Sequence, residues 1–353
     1  MTKILTFLTL ILLTQGGLGC GANVAQPPSN PTTSTAYSNR ALAYYKAGNY
    51  DQAIADYTKA VELDPKDALA YYSRGLAYYR QARFDQAIAD HTKAIELNPK
   101  YADAYYSRGL AYYRKANYSQ AIADYTKAVE LSPKDAIAYY SRGLAHYDTG
   151  NLDQAITDYS KAVELNPKYA VAHYGRGLAN YKKGNLNQAI TDFDKAIELD
   201  PKNVPAYTDR GTVYQAKGNL DQAVEDFDKA IALDPKFALA YNNRATTMYK
   251  KGNLDQAIAD YSQAIALDPK NADAYTGRGL ALRDSSRLEQ ALADFNKAID
   301  LDPKNANAFL GRGLTYQRQN QNPQAVADFE MYLKLAPNAL DRNRVQQLIN
   351  QLR

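Results

Sequence analysis

Apolar residues recur along this chain at helical spacing, in short stripes separated by polar punctuation. Ala53, Tyr57, Ala60 and Val61 follow one another at i, i+4, i+7 and i+8, which puts them on one face of a helix. Tyr71, Gly75 and Tyr78 do the same within "AYYSRGLAYYR", a segment that occurs at Ala70–Arg80 and again at Ala104–Arg114. The punctuation keeps a fixed order. A first stripe ends at a glycine in most cases (Gly48, Gly150, Gly184, Gly218, Gly252), the residue that best accepts the left-handed backbone of a helix C-terminus. An Asn-x-x-Gln pair follows, as at Asn49 and Gln52 or Asn117 and Gln120, and predicts that a capping box opens a second helix. A proline then closes the second stripe, first at Pro65. The pattern predicts an all-α chain of helix hairpins in series.

From Ser34 this order returns every 34 residues, nine times, to Ala339. Position 4 of each repeat is Tyr, His or Phe, position 8 is Gly or Ala, and position 20 is Ala. Position 24 is aromatic except for His91, position 27 is Ala except for Tyr332, and position 32 is Pro. The pattern resembles the tetratricopeptide repeat (TPR) family. That resemblance implies an all-α, right-handed α-α superhelix, a solenoid of nine helix-turn-helix repeats over residues 34–339. One helix pair cannot bury its apolar face alone, so neighbours must stack and the ends need covers. Residues 340–353 carry Val345, Leu348, Ile349 and Leu352 on one helical face, as expected of a C-terminal capping helix.

Two charged positions are as constant as the alanines. Position 7 is Arg and position 23 is Asp in all nine repeats. Arg74 stands among Tyr71, Gly75 and Tyr78, on a face otherwise suited to burial. The expectation is a ladder of ion pairs that sets helix register, with Arg74, Asp90, Arg108, Asp124, Arg142, Asp158 and their equivalents pairing within a repeat or between neighbours. A buried Arg without a partner costs several kcal/mol. The alternative is an arginine row offered to an anionic ligand, which the aspartate row would neutralise.

The resemblance also implies that positions 2, 5, 9, 12 and 13 of the first helix line a concave surface. Tyr72, Leu76, Tyr79, Tyr106, Leu110, Tyr113, Tyr140, Leu144, Tyr147, Tyr174 and Tyr181 occupy positions 5, 9 and 12 in repeats two to five. Tyrosine offers a rigid contact with a polar tip, so this strip is the expected groove for an extended peptide. Cations at position 13, including Arg80, Arg114 and Lys182, favour a ligand with apolar and acidic character. Ser38 and Leu42 stand where family members that grip chaperone C-termini have Lys and Asn, so that carboxylate clamp is not expected.

Composition narrows the chemistry. The chain has 42 basic and 38 acidic residues, too even a balance to single out nucleic acid, and 31 Tyr against 8 Phe and no Trp. His91, His146 and His173 fall at aromatic positions of the repeat and share no metal-ligand spacing. No phosphate loop, nucleophile elbow or paired-carboxylate motif stands apart from the repeats. The expected function is a non-enzymatic scaffold without cofactor, binding a protein or peptide and no nucleic acid. The alternative is a self-associating solenoid.

The one cysteine, Cys20, excludes an intramolecular disulfide. Lys3, the apolar run from Ile4 to Leu13 and the small residues before Cys20 predict a signal peptide over residues 1–19. The segment resembles a bacterial lipoprotein signal, which implies a lipid anchor on Cys20 and a linker over residues 20–33. It departs from that family at Gly17, where Leu, Val or Ile is usual. Plain secretion and an uncleaved anchor are the alternatives, and all three place the repeats outside the cytoplasm, secreted or at the periplasmic face of a membrane.

Overall fold

Each repeat folds into two helices separated at its punctuation, and in many repeats a polar side chain caps one of them. The computed structural model describes residues 31–353, so the expected signal peptide and Cys20 lie outside the described residues. Two compact units are present, one ending at Pro133 and the other spanning Lys134–Arg353. In the first, α1 (Ser34–Lys46) pairs with α2 (Tyr50–Leu63), α3 (Ala68–Arg80) with α4 (Phe84–Leu97), and α5 (Ala102–Arg114) with α6 (Tyr118–Leu131). The second opens with the pairs α7 (Ala136–Asp148) and α8 (Leu152–Leu165), α9 (Ala170–Lys183) and α10 (Leu186–Leu199), and α11 (Val204–Ala216) and α12 (Leu220–Leu233). It continues with α13 (Ala238–Lys250) and α14 (Leu254–Leu267), α15 (Ala272–Asp284) and α16 (Leu288–Leu301), α17 (Ala306–Arg318) and α18 (Asn322–Leu335), and ends at α19 (Arg342–Leu352).

The caps differ in part from the sequence expectation. Of the Asn-x-x-Gln pairs, Asn117 and Asn253 accept the Gln backbone N–H, at 3.4 and 3.3 Å. Asn49, Asn151, Asn185 and Asn219 make no side-chain cap. Two of these amides are drawn away, Asn151 donating to Thr149 Oγ1 and Asn185 to Asn180 Oδ1. The effective caps sit at the other break. Asp67, Asp135, Asn203, Asn271 and Asn305 accept the backbone N–H three residues on and open the first helices. Such caps contribute about 1 kcal/mol each.

The hairpin bend needs one residue in the left-handed region. Gly48, Gly150, Gly184, Gly218 and Gly252 supply it, with φ between 79° and 88°. Ala82, Ala116, Ser286 and Asn320 hold the same place in other repeats at φ 58°, 57°, 64° and 57°. A Cβ there meets the following carbonyl oxygen, which costs about 1–2 kcal/mol. Ala82→Gly is therefore expected to stabilise the first unit by about 1 kcal/mol. The check is a rise in the urea midpoint, with Ala53→Gly on the neighbouring helix moving it the other way.

Small residues set the spacing between paired helices. A Cβ added at Gly109 would stand 2.8 Å from the Tyr125 ring, and one at Gly177 2.7 Å from Phe193. The ring of position 24 fills the volume that position 8 leaves free. Ala53, Ala87, Ala121, Ala60 and Ala94, at positions 20 and 27, are wholly buried. Tyr332 replaces that last alanine where no further repeat follows; it packs with Val345 and Ile349 of α19, and its hydroxyl donates to Asp341 Oδ1 at 2.6 Å. The cap starts at Arg342, two residues later than the apolar pattern suggested, and Leu340 is fully exposed.

All nine position-7 arginines reach the aspartate sixteen residues on, across their own hairpin. Arg108 donates from Nε and Nη2 to Asp124 at 2.8 and 2.7 Å, and the pair is largely withdrawn from water, the side chains 18% and 6% exposed. The hydrogen bond to Asp124 raises the Arg108 pKa, offsetting the opposing effect of burial. In most repeats the guanidinium also lies on the position-4 ring, 5.5 Å from the Tyr71 centre for Arg74 and 5.7 Å from Tyr105 for Arg108. A further arm, Nη1, goes to the preceding repeat: Arg74 to Thr58, Arg108 to Thr92, Arg176 to Ser160, Arg210 to Asp194 and Arg244 to Asp228. Each such arginine ties its own hairpin shut and clasps it to the one before.

Within each unit, first helices of successive repeats touch one another, whereas each second helix packs mainly between the first helices of its own and the next repeat. The stack within a unit therefore curves with its first helices on the inner side.

Candidate functional site on the first helices

The inner face carries the tyrosine strip, sunk deeper than the sequence suggested. In the first unit, Tyr79, Leu110 and Tyr113 are buried, at 8%, 1% and 8% exposure, while Tyr72, Leu76 and Tyr106 are half-buried. In the second, Tyr140 and Leu144 are buried and Tyr147, Tyr174 and Tyr181 half-buried. Rings on the second helix of the same repeat account for much of this burial. Position 5 leans on the position-24 ring of its own repeat: Tyr72 on His91 at 5.5 Å, Tyr106 on Tyr125 at 5.7 Å, Tyr140 on Tyr159 at 5.6 Å and Tyr174 on Phe193 at 5.8 Å. Position 12 meets the first ring of the second helix edge-on, as Tyr79 meets Phe84 and Tyr113 meets Tyr118. These side chains form the walls and floor of the inner face. Burial pushes the Tyr72 hydroxyl pKa up to about 12, so it acts as a neutral hydrogen-bonding group.

Three of the position-13 cations lean on the preceding repeat. Arg80 donates to the Tyr45 hydroxyl at 3.0 Å, Arg114 lies 6.0 Å from the Tyr79 ring centre, and Lys182 lies 5.0 Å from that of Tyr147. They brace the tyrosines.

Two features of this face escaped the sequence reading. Leu42 of α1 and Leu69 of α3 are 38% and 61% exposed, and Leu69 shares a helix face with the half-buried Tyr72 and Leu76. Their signal was available, since both occupy inner-face positions. In the second unit, Asp209 of α11 accepts a 2.6 Å hydrogen bond from the Tyr174 hydroxyl. It is the one charged residue at position 6 of any repeat.

The histidines take three different settings. His91 is wholly buried and neither ring nitrogen has a hydrogen-bond partner; burial lowers its pKa to about 3, with Arg108 adding to the effect. His173 is buried, with Nε2 3.1 Å from the Pro167 carbonyl. His146 replaces a larger ring and borders a cleft of about 220 Å³ with Arg142, Asp153, Gln154, Thr157 and Asp158. Among the described residues no group of three or more His, Cys, Asp or Glu is placed to hold a metal ion, and no helix is long and apolar enough to cross a membrane.

Comparison with known proteins agrees with this architecture. Family models described as TPR repeat match residues 41–82, 117–150, 144–184, 211–252, 247–284 and 279–320. Models described as tetratricopeptide repeat match 68–101, 170–203, 92–123, 193–225 and 307–339. Among curated proteins, the SGT1 homolog of Oryza sativa subsp. japonica is 51% identical over 37 residues, which is 10% of this chain and 10% of that protein. Among solved structures, the Cut9–Hcn1 hetero-tetramer of the APC/C superposes with a TM-score of 0.57 at 18% identity, over 90% of this chain and 76% of that one. YrrB, a TPR protein with an unusual peptide-binding site, is 30% identical over 52% of this chain and 95% of its own, with a TM-score of 0.48. Matched by these models over well more than half its length, the chain belongs to the tetratricopeptide repeat family, whose arrays are in general scaffolds for protein–protein interaction rather than catalysts.

Proposed function

We propose that this scaffold holds an extended segment of a partner protein along the inner face of its first helices, with the main apolar anchorage in the first unit. The observation that carries the proposal is the exposure of Leu42 and Leu69 on adjacent first helices, Leu69 on the same helix face as the half-buried Tyr72 and Leu76. Apolar side chains left in water on adjacent helices, next to tyrosines already fixed by packing, give a docking segment contact area at little cost in conformational entropy. The anchor is a lipid on Cys20, which tethers the array to a membrane outside the cytoplasm, where it supports assembly of an envelope complex. Lys3, the apolar run from Ile4 to Leu13 and the small residues before Cys20 support that placement.

A photo-reactive residue at position 69 is expected to capture a discrete partner in cells. Leu42→Asp combined with Leu69→Asp should reduce that partner's affinity by about tenfold or more, because charge replaces apolar contact, while the helical circular dichroism stays intact. Capture that persists undiminished in the double variant would exclude this face. Cys20→Ser should release the protein from membranes, and retention in the membrane fraction would remove the lipid anchor.

A further inference from the structure

Asp209 differs from every other aspartate placed between helices in this array. The nine aspartates at position 23 are each paired with an arginine, whereas Asp209 takes part in no ion pair among the described residues and holds one hydrogen bond, from Tyr174. Burial pushes its carboxyl pKa up to about 6, so it is mostly charged at neutral pH. Position 6 of the other repeats is Asn, Ser or Gly, and the next repeat carries the neutral Asn243 there. The fold does not need a charge at this place.

The surroundings suit a cation. Tyr174 of α9 donates to the carboxylate and Tyr147 of α7 lies near enough to feel its charge, and in both the hydroxyl pKa is raised, first by burial and then by the charge of Asp209. Lys182 rests on the Tyr147 ring, 5.0 Å from its centre, and makes no ion pair with Asp209. A partly desolvated carboxylate costs free energy until a counter-charge completes it.

We infer that Asp209, held by the Tyr174 hydroxyl, anchors a basic side chain, the guanidinium of an Arg or the ammonium of a Lys, in a peptide segment lying along the first helices of the second unit. This deepens the groove function proposed above and rests on it. It adds a basic contact in the second unit to the apolar and acidic ligand character expected from the position-13 cations. An Arg meeting this carboxylate forms a charge-assisted hydrogen bond that a neutral isostere cannot match.

The test uses the full chain and two fluorescein-labelled pools of random heptapeptides, one with a fixed central Arg and one with citrulline in its place, read by anisotropy. Wild type is expected to bind the Arg pool about tenfold more tightly, and Asp209→Asn to reduce that preference below about twofold. Asp209→Asn keeps an acceptor for Tyr174 and removes a charge, so it should melt no lower than wild type. Equal binding of the two pools by wild type, or an Arg preference that survives Asp209→Asn, overturns the cation site and leaves the groove standing. Binding of neither pool overturns both.

Discussion

Arg108→Met is expected to destabilise the first unit by about 3–5 kcal/mol, the largest loss from any single substitution considered for this chain. The cost comes from what the substitution leaves behind. Asp124 would remain between the helices, 6% exposed, without the Nε and Nη2 donors that satisfy both of its oxygens. Thr92 would lose its contact from the following repeat, and the Tyr105 ring its cation. Adding Asp124→Leu should recover most of the loss, to within about 1–2 kcal/mol of wild type, because an apolar pair of similar volume has no charge to desolvate. Urea denaturation of the four proteins in the cycle reads the coupling directly. A double variant whose loss equals the sum of the two single losses would show that the pair is not coupled.

The second large effect is a pH dependence set by His91. In the folded chain the ring is held neutral, with its pKa lowered to about 3, whereas the unfolded chain takes up the proton near the ordinary value of 6.5. The unfolded state therefore binds more protons between these values. The contribution of His91 to stability is fully present above about pH 6.5 and falls by about 1.4 kcal/mol per pH unit, reaching a loss of about 5 kcal/mol near pH 3. His91→Phe removes the titration and fits the site. Phe193 packs against Gly177 in the same relation, where an added Cβ would stand 2.7 Å from the ring, as one at Gly75 would from His91. Urea midpoints at pH 4, 5, 6 and 7.5 should diverge between wild type and His91→Phe as the pH falls. Parallel profiles would mean that His91 is solvated.

The helix pairs were legible because two independent signals, apolar spacing and polar punctuation, share one period. The partner of each arginine was half legible. Position 23 named an acid of the right charge, and the choice of the same repeat over the neighbouring one depended on how the hairpin closes. The clasp to the preceding repeat was written at position 25, which is Thr, Ser, Asp or Asn in the first eight repeats, a restriction that reads as surface polarity until the guanidinium is seen on it. Exposure along the tyrosine strip was not legible. Tyr79 and Tyr147 occupy the same position of their repeats, yet one is buried and the other half-buried: Phe84 packs edge-on against Tyr79, and the equivalent residue beside Tyr147 is Leu152. Asp209 was legible as the one charge at position 6, but its burial and its lack of an arginine partner were hidden by the abundance of ordinary aspartates.

The arginine clasp bears on how such a chain changes over generations. The arm of Arg74 finds a hydroxyl on Thr58, that of Arg244 a carboxylate on Asp228 and that of Arg312 an amide oxygen on Asn296, so it accepts whichever acceptor the preceding repeat presents. Because the donor and acceptor positions recur every 34 residues, unequal recombination that deletes or duplicates one whole repeat joins an old arginine to an equally serviceable neighbour. The array can lengthen or shorten in a single genetic event without passing through an unfolded ancestor, and the reach of its inner face is then open to selection as a trait in its own right.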